Sequence, residues 1–123
     1  MRSLAMSTSP NQQEAAVHAA AIRDLNDIFR RNPMAGRVVM TAGIDALPQS
    51  EKLALLAAVV GFNAFDSGND PFNEHDFGAV EQEGVNYFWK IDYYDPDYDM
   101  GSVDPADPHV TRRVLTIMRA DEY

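Results

Sequence analysis

Cysteine is absent from the 123 residues. That excludes disulfides, thiolate metal sites and a cysteine nucleophile, and it fits a reducing compartment. Long apolar runs are missing too: the longest, LALLAAVVGF at 53–62, falls far short of the ~20 residues that cross a bilayer. The opening stretch MRSLAMSTSPNQQE has a lone arginine and no apolar core of signal-peptide length. A soluble, cytoplasmic protein is expected. Bases are scarce, with 10 Lys and Arg against 19 Asp and Glu and a net charge of −9. Such a balance opposes direct contact with nucleic acid or an anionic membrane. Glycine-rich phosphate loops, HExxH, GxSxG and paired-histidine spacings are all missing. No catalytic residue can be named, and a non-enzymatic role is the expectation.

What is present suits one globular domain. Hydrophobic residues make up 46% and charged residues 24%, in a chain long enough to close a core. The acids are segregated. Residues 66–107 hold twelve of them against the single base Lys90, so this segment carries −11 while the remainder is close to neutral.

Residues 1–8 read as a loose leader. A helix is expected from Ser9–Pro10–Asn11, with Asn11 and Glu14 spaced as a capping box. Val17, Ala21, Leu25 and Ile28, flanked by Ile22 and Phe29, form its apolar stripe. Arg23, Asp27 and Arg31 sit on another face, and Asn32–Pro33 ends the helix. Arg37–Thr41 is β-branched and reads as a strand. A second helix opens at Pro48 and Ser50; apolar on nearly every side from Leu53 to Phe62, it is expected to be buried. Phe77–Glu81 and Val85–Tyr94 read as strands joined by a Glu83–Gly84 turn. Val85, Tyr87, Trp89, Ile91 and Tyr93 share one face of the longer strand. Asp95–Pro108 is an extended acidic loop. Arg113–Arg119 reads as the last strand, although Val110, Val114 and Met118 also fit a helix capped by Asp107–Pro108. The fold class is α+β, two helices on one face of a small, mostly antiparallel four-stranded sheet.

Two clusters carry candidate chemistry. Asp92, Tyr94, Asp95, Asp97, Tyr98 and Asp99 combine carboxylates with phenols, as an interface centre requires. The run from Asp95 resembles the start of a calcium loop, but Met100 and Ala106 stand where that loop needs Gly and Glu. Asp70, Glu74, His75 and Asp76 are the alternative: hard oxygens and one imidazole for a divalent metal, with Asp92 as a further donor. The simpler role for His75 is structural, a ring bonded to a nearby carboxylate that fixes its loop. His18 reads as a surface residue, and Arg112, Arg113 and Arg119 as partners for nearby acids.

The stretches NDPFNEHDFG (69–78), WKIDYYDPD (89–97), GSVDPADP (101–108) and RVLTIM (113–118) resemble an uncharacterised family of short bacterial proteins, a domain of unknown function associated with plasmids and mobile elements. The likeness covers roughly residues 25–123. It implies no activity, only a setting in which small acidic proteins blunt host defences. Together with the charge, it points to an inhibitor whose acidic surface occupies the basic, nucleic-acid-binding site of a defence protein. No cofactor is expected on that reading. The alternative is a metal-dependent hydrolase of a phosphorylated or nucleotide substrate. A subunit that homo-oligomerises through its last strand is the third possibility.

Overall fold

The computed structural model describes residues 10–123. The expected leader at 1–8 and Ser9 of the expected helix start lie outside the described residues. Helix α1, Pro10–Arg31, stops before Asn32–Pro33. Asn11 therefore lies inside the helix and is not its cap. A 3-10 turn, Pro33–Ala35, leads into strand β1, Arg37–Met40. A one-turn helix α2, Ala42–Asp45, then occupies a stretch where no helix was expected. Helix α3 is Gln49–Val60. Strands β2 (Phe77–Gln82), β3 (Val85–Tyr94) and β4 (Arg112–Arg119) complete the fold, with a final 3-10 turn at Ala120–Glu122. Among the described residues no helix is long and apolar enough to cross a membrane.

The sheet runs β1-β4-β3-β2, with β1 parallel to β4 and the other pairs antiparallel. This is the expected mostly antiparallel four-stranded sheet of an α+β fold. Glu83 and Gly84 close the β2–β3 hairpin with φ of 53° and 79°, the two left-handed residues whose twist suits a two-residue connection. Residues 112–119 are strand, not helix. β4 lies between β1 and β3, and buries Leu115 and Ile117 on one face and Val114 and Met118 on the other. A central strand apolar at both parities mimics a helical spacing.

The core is built on one parity. Tyr87, Trp89 and Ile91 of β3 and Leu115 and Ile117 of β4 meet Ile44 of α2 and Leu55 and Val59 of α3. The opposite parity carries Phe77, Phe88, Lys90, Asp92, Tyr94 and Arg112, none of them fully buried. There Phe77, Phe88 and the terminal Tyr123 pack as a ring cluster with centroids 5.1–5.9 Å apart.

Both helices depart from expectation in the face they bury. In α3 only Leu55 and Val59 are buried, and Leu53 is 57% exposed. A four-stranded sheet is too small to surround a helix, so the outward side of this apolar run faces water. In α1 the buried stripe is Ile22, Asn26 and Arg30, whereas Val17 and Ile28 are 70% and 65% exposed. The stripe is shifted because what faces α1 is polar. Tyr93, Arg113 and the carbonyls of Phe62 and Glu74 demand hydrogen-bonding side chains.

Gly78 touches the fully buried Trp89, and a Cβ there would collide with the indole nitrogen. Replacing Gly78 with Ala should cost about 1–3 kcal/mol of stability through overpacking, read as a lower urea midpoint with unchanged slope.

Candidate functional site

Much of the acidic segment closes turns. The carboxylate of Asp66 accepts N–H bonds from Gly68 and Asn69 at 2.8 and 3.0 Å. Asp70 takes those of Glu74 and His75 at 3.0 and 3.1 Å. Asp95 takes that of Asp99 at 2.9 Å, Asp104 that of Ala106 at 3.1 Å and Asp107 that of His109 at 2.9 Å. A short carboxylate bonded to N–H groups just downstream replaces the ladder bonds these loops lack. The grip also holds residues in conformations that disfavour a side chain: φ is 58° at Asn73, 56° at His75 and 61° at Tyr98.

Above the Asp70 loop lies a network drawn from α1. His75 Nδ1 is 2.9 Å from Asp27 Oδ1, and its Nε2 is 3.5 Å from Asp70 Oδ2. Arg30 donates from Nη1 to Asp27 Oδ1 at 2.9 Å and from Nη2 to the Phe62 carbonyl at 3.1 Å. Phe65 stacks flat on His75, with centroids 3.7 Å apart, and lies with Trp89 under the Arg30 guanidinium. Burial pushes the Asp27 carboxyl up, but hydrogen bonds and charge from His75 and Arg30 outweigh it and leave its pKa below the ordinary value.

A donor chain runs alongside. Arg113 Nε donates to Asn26 Oδ1 at 2.7 Å, Asn26 Nδ2 donates to the Tyr93 hydroxyl at 2.8 Å, and Tyr93 donates to Glu74 Oε1 at 3.1 Å. Burial, with Asp76 and Glu74 nearby, raises the Tyr93 pKa and keeps the phenol protonated. Among the described residues no basic group lies within 4 Å of Asp76. Burial first, then the negative charges of Glu74, Asp70 and Asp92, raise its pKa.

The structure places the residues singled out for a metal around this network without joining them in one site. Asp70 serves backbone N–H groups and His75, Glu74 serves Tyr93, and His75 leans on Asp27. Among the described residues no group of three or more His, Asp or Glu side chains is arranged to hold a metal ion. The structural role expected for His75 is the one observed. Asn26 and Arg30, which sequence reasoning missed, carry the network. Their only signal was an i, i+4 spacing with Ile22, and polar residues on a helix are normally read as its outer face.

The six partner-binding candidates divide in two. Asp92 is paired with Lys90 Nζ at 3.0 Å. Asp95 is turned inward as a cap. Tyr94 and Tyr98, expected to stand exposed, are half-buried, with ring centroids 6.3 Å apart, and the Arg37 guanidinium lies 3.8 Å above Tyr98. Asp97 and Asp99 remain exposed. The segment is a tight turn, not an extended row of carboxylates: Asp95 N–H bonds the Met100 carbonyl at 2.8 Å and Tyr98 N–H bonds the Asp95 carbonyl at 3.0 Å. The arginines expected to pair with acids also divide. Arg119 meets Asp121 at 3.1 Å, whereas Arg113 bonds Asn26 and the Pro105 carbonyl, and Arg112 only the Thr111 carbonyl. His18 is exposed as expected and meets Asp104 at 2.8 Å.

The family described as "Protein of unknown function (DUF3768)" matches residues 40–122. The match takes in all four of those sequence motifs and leaves α1 outside, a shorter span than the expected 25–123. No curated protein and no solved structure matches the chain.

Two measurements probe the network. Asp27→Ala leaves Arg30, 2% exposed, without its carboxylate, and should cost about 3 kcal/mol at neutral pH by urea unfolding. The folded pKa of Asp27 lies below the unfolded one, so its contribution is present above the unfolded pKa and is lost as pH falls through the folded value; the gap between wild type and variant should shrink at low pH. Asp76 has the opposite sign. Its raised folded pKa makes ionisation unfavourable for folding as pH rises through that value, so Asp76→Asn should raise Tm by about 2–5 °C at pH ~7 and leave it unchanged at pH ~3.

Proposed function

The chain belongs to the DUF3768 family, and from that premise we propose that it is a small acidic interaction protein of the cytoplasm that occupies a basic, nucleic-acid-binding site on a partner protein. The observation that carries the reading is the segregation of −11 of charge into residues 66–107, ending in a pinned turn that presents Asp97 and Asp99 to solvent. The turn is held by the Asp95 carboxylate and by the stacking of Arg37 on Tyr98. Carboxylates on a pre-ordered loop lose little conformational freedom when they dock. They compete for the arginines and lysines that otherwise grip phosphates. A defence protein that holds nucleic acid presents a surface of that kind, and the mobile-element setting implied by the sequence motifs supplies a reason for blocking it.

Binding of this type steers association electrostatically and weakens as salt screens it. Immobilised wild-type protein should retain a basic, nucleic-acid-binding protein from bacterial lysate at low salt and release it at high salt. An Asp97→Asn, Asp99→Asn double variant should bind that purified partner on the order of tenfold more weakly. Failure of the wild type to retain any such protein at low salt, or equal affinity for both forms, overturns the reading.

A further inference from the structure

Carboxylates outnumber bases nearly two to one in this chain, so random pairing should leave acids over, not arginines. Among the described residues, His18, Arg23, Arg30, Lys52, His75, Lys90 and Arg119 each lie within 4.0 Å of a carboxylate. Arg31, Arg37, Arg112 and Arg113 do not. Three of these four line two adjoining grooves at the β1 edge of the sheet. The larger, about 690 Å³, has Arg37 on its wall and Met34, Val38 and Met40 as apolar lining. The smaller, about 270 Å³, is lined in part by Arg112 and Arg113. Gly36 and Tyr98 belong to both.

The geometry leaves two of these arginines able to grip. Arg37 pairs in register with Val114, and Arg112 with Tyr94. Alternation along the strands therefore sets Arg37 and Arg112 on the same sheet face, in neighbouring strands. Arg37 rests the flat of its guanidinium on the Tyr98 ring, 3.8 Å from the centroid. That contact orients the group, and among the described residues its N–H edge carries no side-chain carboxylate. Among the described residues the Arg112 guanidinium makes one bond, 3.3 Å to the Thr111 carbonyl. Arg113 is occupied by Asn26 and the Pro105 carbonyl.

We propose that the two grooves, where they meet at Gly36 and Tyr98, bind a small molecule bearing one oxyanion, phosphate or carboxylate, held between Arg37 and Arg112. A guanidinium fork matches such an oxyanion with two parallel hydrogen bonds. The groove volume is that of a small-molecule site. Asp97 and Asp99 flank Tyr98 in the chain and repel a polyanion, so the site selects a single charged group and not nucleic acid. The proposal is independent of the partner reading, which rests on Asp97 and Asp99; either can fail without the other.

The test is a ¹H–¹⁵N NMR titration of the full chain with inorganic phosphate and, separately, with sodium acetate, both against sodium chloride at matched ionic strength. Saturable shifts of the Gly36, Tyr98 and Arg112 amides are expected with at least one of the two oxyanions, and which one identifies the group the natural ligand carries. Arg37→Gln and Arg112→Gln should each weaken binding tenfold or more. Arg37→Lys, which keeps the charge but loses the fork, should weaken it less. Arg37 is exposed and Arg112 half-exposed, so the variants should fold, and their melting curves check this. Shifts no different from those in chloride, or a saturable response unchanged in both Gln variants, would sink the proposal.

Discussion

Asp27 lies between the Arg30 guanidinium and the His75 imidazole, with Arg30 Nη1 and His75 Nδ1 each 2.9 Å away. Arg30 is almost wholly buried, and a buried guanidinium is tolerable only with a carboxylate and further acceptors around it. Asp27 supplies the carboxylate, the Phe62 carbonyl supplies an acceptor, and Phe65 and Trp89 supply ring faces. The same carboxylate holds His75 at φ 56° on the loop before β2. One short side chain thus ties α1 to the loop carrying the NDPFNEHDFG motif, while Asn26 beside it ties the helix to the sheet. Without Asp27 the stripe of α1 that faces inward would be too polar to bury.

The acids divide by reach. Aspartates directly followed by a turn bond the N–H groups just beyond them, and Asp66, Asp70, Asp95, Asp104 and Asp107 are used in this way. This explains much of the local acidity without a partner. It also makes the remainder more informative, because Asp97 and Asp99 project from a loop already closed by Asp95. Asp76 differs from both groups: it is half-buried among other acids, and its ionisation works against folding.

The Asp95 turn links the two proposed surfaces. It orients Tyr98, which holds Arg37 flat and separates the acidic tip from the arginine-lined groove. An acidic protein that leaves arginines unpaired in one place, beside exposed carboxylates, presents two adjacent surfaces of opposite sign. The first suits a cationic patch on a macromolecule, the second a compact anion.

Local chemistry was enough to read the strand Val85–Tyr94, a strand at Phe77–Glu81 that runs one residue further to Gln82, the Glu83–Gly84 hairpin, the end of α1 at Asn32–Pro33 and the α+β class. Each depends on alternation, β-branching, or a glycine or proline at a defined place, and those are short-range properties of a chain. A carboxylate partner for His75 was expected from its acid-crowded loop, but the one it meets at 2.9 Å is Asp27 of α1, distant in sequence, which no local rule supplies. The inward face of α1 was not legible. Asn26 and Arg30 are outward residues by any local rule, and they turn inward only because Tyr93, Arg113 and the Phe62 carbonyl, distant in sequence, await them there. The exposure of Leu53, the folding of Asp95–Asp99 into a turn and the meeting of Arg37 with Tyr98 likewise depend on which elements become neighbours. Sequence alone determined how each segment would bend and where charge would gather. Tertiary structure decided which of those charges are consumed by other parts of the chain, because pairing depends on distance in space, which separation along the chain does not set.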